Sequence, residues 1–158
     1  MAISKILNMK DCGGHFHGKH LKRALDYVMN PDKTQDGRLV GAINCQVDTA
    51  FEQMKETKRN FGKIDKRQGY HIILSFKENE VNPDTAFEIT QKFVEEYLGK
   101  SYEAVFVVHD NTAHVHSHIV FNSVSLWTAK STVTKKGLGK VYPAYHEQAV
   151  SGIWTLHY

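Results

Sequence analysis

The stretch that decides the fold is residues 105–125, which read VFVVHDNTAHVHSHIVFNSVS. Apolar, β-branched runs flank a short polar stretch, and this pattern is typical of a β-hairpin. Because alternate side chains of a strand share one face, His114, His116 and His118 point the same way, and Asn122 points with them. The apolar residues between them point to the opposite face. The segment therefore predicts a hairpin that carries a row of histidines on one side and a buried core on the other.

The histidines of this hairpin predict a metal site. If the turn consists of residues 110–113, His109 faces His114 across the hairpin, and His109, His116 and His118 can converge on one point. Three imidazole nitrogens leave coordination positions open for a substrate or water, as a catalytic metal requires. His114, beside the turn, is a possible additional ligand that could exchange roles with His109. The alternative is a solvent-facing hairpin edge that binds nothing, but four histidines in so short a stretch favour the metal.

The composition is that of one globular domain. The chain has 158 residues, of which 41% are hydrophobic and 23% charged, which suffices for a single core. No run approaches the roughly 18–20 apolar residues of a membrane helix. Lys5 and Lys10 interrupt the apolar residues of the N-terminus, so no secretory signal is expected. Two cysteines are too few for a disulfide framework. We expect a cytoplasmic protein with no membrane partner.

Outward from the hairpin, the periodicity predicts alternating strands and helices. Residues 18–29 have the apolar spacing of a helix, and Asn30-Pro31 ends it. Asn82-Pro83 begins a helix with proline at its first position, and Gly99 lies past the end of that helix. The other predicted strands and helix are residues 2–7, 41–45, 48–61, 70–76 and 102–108. Their order predicts an α+β fold, with a central, mainly antiparallel β-sheet flanked by helices.

The net charge of +3 carries little information about partners. Residues 1–126 contain 16 basic and 16 acidic side chains, so the whole excess lies after them. That excess consists of four lysines and one glutamate, at Lys130, Lys135, Lys136, Lys140 and Glu147. We therefore predict a domain at residues 1–126 and an atypical basic tail at residues 127–158.

The histidine pattern resembles the metal motif of conjugative relaxases, the relaxase/mobilization nuclease family. The similarity covers about residues 1–125 and rests on four features in a fixed order. They are a tyrosine near the end of the first helix, Tyr27 in ALDYVMNPDKT; an H-x3-S-F strand from His71 to Phe76; a helix followed by a strand that ends in His109; and the HxHxH strand itself.

The resemblance implies a palm-like antiparallel sheet of the histidine–hydrophobic–histidine endonuclease type. It also implies site- and strand-specific nicking of DNA at an origin of transfer of a plasmid or integrative element. By this resemblance Tyr27 is the nucleophile, and His109, His116 and His118 hold a divalent metal over the scissile phosphate. The product is a 5′-phosphotyrosine with a free 3′-hydroxyl. The implied partners are single-stranded DNA and accessory mobilization proteins.

The identity of the metal depends on what completes its ligand shell. Imidazole alone suits Zn²⁺, Mn²⁺, Co²⁺, Ni²⁺ or Cu²⁺ better than Mg²⁺. A DNA phosphate that arrives as an oxygen ligand shifts the preference toward Mn²⁺ or Mg²⁺. We therefore expect Mn²⁺ or Mg²⁺ ahead of Zn²⁺.

Two residues of the predicted sheet have open roles. His71 could orient a metal ligand, accept the proton of the tyrosine, or be a sheet histidine with no catalytic role. Asn122 could hydrogen-bond a metal-bound histidine or contact the DNA backbone.

A basic stretch near the first helix is a candidate DNA contact. Backbone N–H groups at a helix N-terminus bind phosphate readily, and the basic side chains there could grip the strand. The alternative is a solvated loop. The residues are Lys19, Lys22 and Arg23 on the helix, next to His15, His17 and His20.

The sequence departs from the family pattern after the HxHxH strand. The family continues with a glycine turn and a basic, tyrosine-bearing segment, whereas this chain reads LWTAKSTVTKKGLGKVYPAYHEQAV from Leu126. One hypothesis is a shift of reading frame near Leu126, or a truncation, which would make the chain a non-catalytic, single-stranded DNA-binding relic. The histidine pattern also fits a rolling-circle replication initiator, or a three-histidine metalloenzyme that acts on a small molecule.

Overall fold

The computed structural model describes residues 3–9, 19–64 and 67–127. Five strands and three α-helices alternate in these ranges, with a short 3-10 turn before the second helix. His15 and His17 of the basic stretch before α1, and the predicted tail after Trp127, lie outside the described residues. The elements are β1 (Ile3–Asn8), α1 (Lys19–Val28), β2 (Val40–Ile43), α2 (Ala50–Asn60), β3 (Gly69–Ser75), α3 (Pro83–Tyr97), β4 (Ala104–His109) and β5 (His116–Asn122).

The strands form one five-stranded sheet in the order β1-β3-β5-β4-β2. Every neighbouring pair is antiparallel. The predicted α+β class with a mainly antiparallel sheet is confirmed. The last strand, β5, takes the centre of the sheet, since β3 and β4 both pair with it.

Helices cover both faces of the sheet. On one face, α1 and α2 bury Leu21, Leu25 and Met54 against Val105 and Val120. On the other face, α3 buries a second cluster, which includes Phe93, Val94, Phe106, Ile119 and Phe121. Alternation along each strand therefore fills two apolar cores. None of the helices in the described ranges is long and apolar enough to cross a membrane.

The start of α3 follows the sequence signal closely. Asn82 is the N-cap, and its side-chain oxygen accepts a hydrogen bond from the Thr85 N–H at 2.8 Å. Pro83 occupies the first helical position, where its missing N–H costs nothing because that group has no partner within the helix. Helix α3 ends at Tyr97, two residues before Gly99.

The hairpin differs from the prediction in length and register. Strand β5 begins at His116, so residues 110–115 connect the strands in place of the predicted 110–113. His109 therefore pairs with His116, and the expectation that it faces His114 was wrong. The six-residue connection is stabilised in part by the Thr112 hydroxyl, which donates to the His114 carbonyl at 2.8 Å. His114 is exposed in this connection, outside β5.

Candidate active site: a histidine cluster beside Tyr27

Three adjacent strands bring histidines to one face of the sheet, the face that packs on α1. His109 ends β4 and pairs with His116 at the start of β5. His118 lies two residues further along β5 and therefore points the same way. His71 of β3 faces Val120, which is two residues beyond His118. The hairpin and its neighbour β3 thus place His71, His109, His116 and His118 on the same side.

The rings of this cluster lie close together. The centroids of His109 and His118 are 4.3 Å apart, and those of His71 and His118 are 5.0 Å apart. Only 4% of His109 and 7% of His118 is exposed, while His116 is half-buried at the rim. The cluster is therefore a largely buried group of imidazoles that opens at one end.

Hydrogen bonds orient two of these rings. His109 Nε2 donates to the Val28 carbonyl at the end of α1, at 2.8 Å. This bond leaves His109 Nδ1 with its lone pair available. His71 Nε2 and His118 Nδ1 share a second hydrogen bond of 2.8 Å. If His118 is the donor, its Nε2 is the free nitrogen. Such partners on the second nitrogen are usual for histidines that bind metals.

Burial favours the neutral form of His71, His109 and His118. Burial lowers the pKa of His71 to about 4, with a smaller effect from the His109 charge. Burial lowers the pKa of His118 to about 3, and the charges of His109, His71, His116 and Lys33 lower it further. The pKa of His109 is also below its ordinary value, mainly because of burial. Neutral imidazole is the form that binds a metal ion.

Tyr27 lies at the open end of the cluster. It belongs to the last turn of α1, and 51% of it is exposed. Its ring makes edge contacts with His109 and His118, at centroid distances of 5.9 and 6.2 Å. The helix end therefore presents a phenol to solvent directly beside the imidazoles.

The donor chemistry of the cluster suits a divalent metal, although the rings do not yet converge. Within the described residues, no group of three or more His, Cys, Asp or Glu side chains is arranged to hold a metal ion as it stands. His109, His116 and His118 nevertheless share one face, and two of them, His109 and His118, have one ring nitrogen already hydrogen-bonded. The rings would have to turn for their nitrogens to meet at one ion.

Among the other sequence-predicted residues, Asn122 lies on the predicted face of β5 but does not have either of the roles considered for it. It is fully buried at the far end of β5 from His116, so it cannot contact DNA or a ligand of the cluster. Its side-chain oxygen accepts from Lys58 Nζ at 2.8 Å. Its amide donates to the Met54 carbonyl at 3.0 Å and to Glu103 Oε1 at 3.2 Å. Asn122 is therefore a structural residue.

The basic residues predicted to bind DNA lie on the outside of α1. Lys19, Lys22 and Arg23 are all exposed, and Lys22 pairs with Asp26 at 3.4 Å. Arg23 precedes Tyr27 by four residues, which places both on one side of the helix. The possible ligand His114 is not on this surface or in the cluster, since it lies in the connection before β5.

Sequence reasoning missed two lysines. Lys33 places its ammonium 4.0 Å from the centroid of the Tyr27 ring. Lys58 is fully buried beside Glu103 and Asn122, and it donates to the Gln68 carbonyl at 3.1 Å. The motif ALDYVMNPDKT already contains Lys33, and its distance of six residues from Tyr27 was the available signal. Nothing in the pattern around Lys58 distinguishes it from a surface lysine.

Comparison with known proteins identifies the family of this chain. The family model for the relaxase MobA/VirD2-like nuclease domain matches residues 27–147, from the tyrosine into the basic tail. A protein called rlx from Staphylococcus aureus is 34% identical over 134 residues, which is 84% of this chain and 39% of that protein. The group II intron-interrupted relaxase LtrB of Lactococcus lactis is 29% identical over 137 residues, 70% of this chain and 24% of that protein.

The chain thus spans about two fifths of the length of the rlx relatives and about a quarter of LtrB. The family match covers well over half of the chain and includes Tyr27 and all the histidines of the hairpin. On this basis the chain belongs to the MobA/VirD2-like relaxase family, through its nuclease domain.

Proposed function

We propose that this chain nicks one strand of DNA at an origin of transfer by transesterification onto Tyr27. The observation that carries the proposal is the contact between the exposed Tyr27 ring and the buried rings of His109 and His118. A tyrosine that served only to pack against the core would bury its ring and would not need imidazoles at its edge.

The proposed reaction exchanges one phosphodiester for another. The Tyr27 oxygen attacks the scissile phosphorus and loses its proton, while the bond from phosphorus to the 3′ oxygen breaks. The leaving 3′ oxygen takes up one proton, so the products are a 5′-phosphotyrosine and a free 3′-hydroxyl. No bond energy is lost to water, and a later attack by a 3′-hydroxyl can reverse the step.

His109, His116 and His118 would hold the metal of this site, which we expect to be Mn²⁺ or Mg²⁺. When bound, the cation supplies Lewis-acid chemistry that offsets charge on the phosphate. The chain itself contributes three imidazoles, two of them almost fully buried, and the Val28 carbonyl fixes the orientation of His109. A phenol is a weak nucleophile without such assistance.

His71 is proposed as an orienting residue. Its hydrogen bond goes to His118, and the imidazole rings that contact Tyr27 among the described residues are those of His109 and His118. This arrangement supports an effect of His71 through His118 over direct acceptance of the Tyr27 proton.

Lys19, Lys22 and Arg23 are proposed to follow the DNA backbone toward Tyr27. All three are exposed on the helix that carries the tyrosine, and each can neutralise a phosphate. A single strand fits such a track better than a duplex, because the scissile phosphate must reach the open end of a recessed cluster.

The proposal is tested by the formation of a covalent adduct. The chain is incubated with Mn²⁺ and with single-stranded oligonucleotides that tile the DNA flanking its own gene. A species that survives denaturation and carries the label of the 5′-phosphate side is expected. Tyr27→Phe and His118→Ala should abolish it, and a chelator should do the same.

Tyr70→Phe is the matched control, because Tyr70 is a tyrosine outside the cluster, half-buried and stacked on Phe121. It should leave the adduct at the level of the unmodified chain. An adduct of equal yield with Tyr27→Phe would contradict the proposal. Salt-sensitive binding of single strands with no adduct under any metal would instead favour a DNA-binding module without turnover.

A further inference from the structure

One cation faces the Tyr27 ring and is not used in the proposed reaction. The Lys33 ammonium lies 4.0 Å from the centroid of that ring, and the side chain is half-buried. In the part of the chain that the structure describes, Lys22 pairs with Asp26 and Lys92 with Glu88, whereas no ion pair there includes Lys33. Its charge is therefore not neutralised by a carboxylate there.

The backbone around Lys33 is firmly placed. Its N–H donates to the Asn30 carbonyl at 3.0 Å, and its carbonyl accepts from the N–H of Asp110, the residue after His109, at 3.2 Å. The next residue, Thr34, is fully buried, and its hydroxyl donates to the same Asn30 carbonyl at 2.9 Å. The turn after α1 is thus tied to the end of β4, so Lys33 is held at the site by main-chain contacts.

The charge of Lys33 reaches the centre of the cluster. It contributes to the lowered pKa of both His109 and His118. Among the groups whose charges act on His109, His116 also lowers its pKa, and the negative charge of Asp110 acts in the opposite direction. The Asp110 carboxylate already accepts a hydrogen bond from the Gln35 amide. A phosphate that arrives at the open end of the cluster would therefore meet the Lys33 ammonium, which no carboxylate of the described residues neutralises.

We propose that Lys33 is a further catalytic residue, whose ammonium leaves the face of the Tyr27 ring and binds an oxygen of the scissile phosphate. A cation on the face of a tyrosine makes a weak contact, whereas an ammonium on a phosphate makes a charge-assisted hydrogen bond. The exchange is therefore favourable when DNA arrives. The inference rests on the proposed function, because it takes the phosphate attacked by Tyr27 as the ligand.

The first test measures binding and needs no cleavage. The affinity of the full chain for a thymidine oligonucleotide is measured over a series of salt concentrations. Each phosphate contact to a single strand contributes about 0.7 to the slope of log affinity against log salt. Lys33→Gln should reduce the slope by about that amount, and Lys33→Arg should restore it.

Lys92→Gln is the matched control. Lys92 is a half-buried lysine on α3, which covers the opposite face of the sheet, and its removal should leave the slope unchanged. Thermal unfolding of each variant establishes that it is folded. An unchanged slope in Lys33→Gln would overturn the assignment of Lys33 as a phosphate ligand, whether or not the unmodified chain forms an adduct.

The second test locates the phosphate. At saturating oligonucleotide, Lys33→Gln should slow adduct formation by about 10²-fold, the usual effect of removing one donor to a developing negative charge. A reduced salt slope with an unchanged adduct rate would place Lys33 on another phosphate and overturn the proposal. Failure of the unmodified chain to form any adduct would contradict the proposed function, and the salt slope would still decide whether Lys33 binds phosphate.

Discussion

Tyr27 and His109 are coupled through a single residue. Val28 follows the tyrosine in the chain, and its carbonyl accepts the hydrogen bond of His109 Nε2. The last turn of α1 therefore sets the position of the proposed nucleophile and the orientation of a proposed metal ligand together. A shift of this helix end would disturb both, which is a reason for its deep anchoring through Leu25 and Val28, both almost fully buried.

The neutral histidines make folding stability depend on pH. The pKa values of His71 and His118 are lowered from 6.5 to about 4 and about 3 in the folded protein. Below pH 6.5 the unfolded chain binds protons that the folded protein does not, so acid favours unfolding. Stability is complete above 6.5 and is lost as the pH falls toward 4. The expected loss is on the order of 3 kcal/mol for each of the two groups across that window.

Urea unfolding on both sides of pH 6.5, with a chelator present, measures this dependence. His71→Gln should show a smaller loss than the unmodified chain, since it removes one of the two groups while all other titrating groups are shared. Equal pH dependence in the two proteins would contradict the view that His71 is held neutral by the fold.

At the residue scale, the sequence predicted which side chains share a face of the sheet, because this follows from the alternation of side chains along a strand. His116 and His118 share a face because of the strand period, and His109 precedes the turn, so their grouping on β4 and β5 could be predicted. The environment of Lys58 could not be predicted, because it is created by contacts between segments distant in the chain. Lys33 lies in the same motif as Tyr27, but the pattern does not show that the turn brings its ammonium onto the tyrosine ring. The same limit explains the error at Asn122, where strand alternation gave the face correctly and gave no information about burial under α2.

At the element scale, β5 is fastened at its end by a buried polar network. The Asn122 amide connects Lys58, the Met54 carbonyl and Glu103. Burial raises the pKa of Glu103, which shows how costly charge is at this position. Asn122→Ala should lower the free energy of unfolding by about 3 kcal/mol, because it leaves several buried polar groups without their partner.

Chemical denaturation measures that change, with Asn111→Ala as the control. Asn111 is an exposed asparagine in the connection between β4 and β5, so its substitution should stay within about 0.5 kcal/mol. If Asn122→Ala lowered the free energy of unfolding no more than Asn111→Ala does, the structural role of the Asn122 side chain would be contradicted.

The pairing of β3 with β5 depends on a close approach at Gly69. A Cβ at this position would lie 2.8 Å from the Phe121 carbonyl oxygen and 3.3 Å from Leu21 Cδ1. The carbonyl belongs to the backbone of the central strand and cannot move away alone. Gly69→Ala should therefore destabilise the protein by about 2 kcal/mol. Thermal unfolding tests this, and an unchanged midpoint would show that the strands are free to separate slightly.

Element order was predictable, but the boundaries of the hairpin were not. Valine, isoleucine and phenylalanine mark the strands, and Asn82-Pro83 marks the start of α3. The start of β5 depends on where pairing with β3 and β4 begins, and His114 and Val115 fit a strand pattern as well as His116 does. The Val115 carbonyl in fact accepts from the Phe76 N–H at 3.0 Å, although the residue lies just outside the strand.

For the molecule as a whole, the two faces of the sheet differ in the residue types that they carry. The face under α3 is dominated by an apolar and aromatic core. The face under α1 is apolar over part of its length, and at the end of β4 and the start of β5 it changes to imidazoles. The alternation of side chains along each strand makes this division possible, because a change of residue type on one face of β5 leaves the other face intact.

The most direct measurement of the central claim is identification of the residue that carries the DNA. Trypsin releases residues 24–33, ALDYVMNPDK, as one peptide, and its only tyrosine is Tyr27. After adduct formation and nuclease digestion, mass spectrometry should find this peptide with a deoxynucleotide phosphate attached to Tyr27. A phosphate on any other tyrosine, or an adduct whose tryptic peptide lacks Tyr27, would contradict the account.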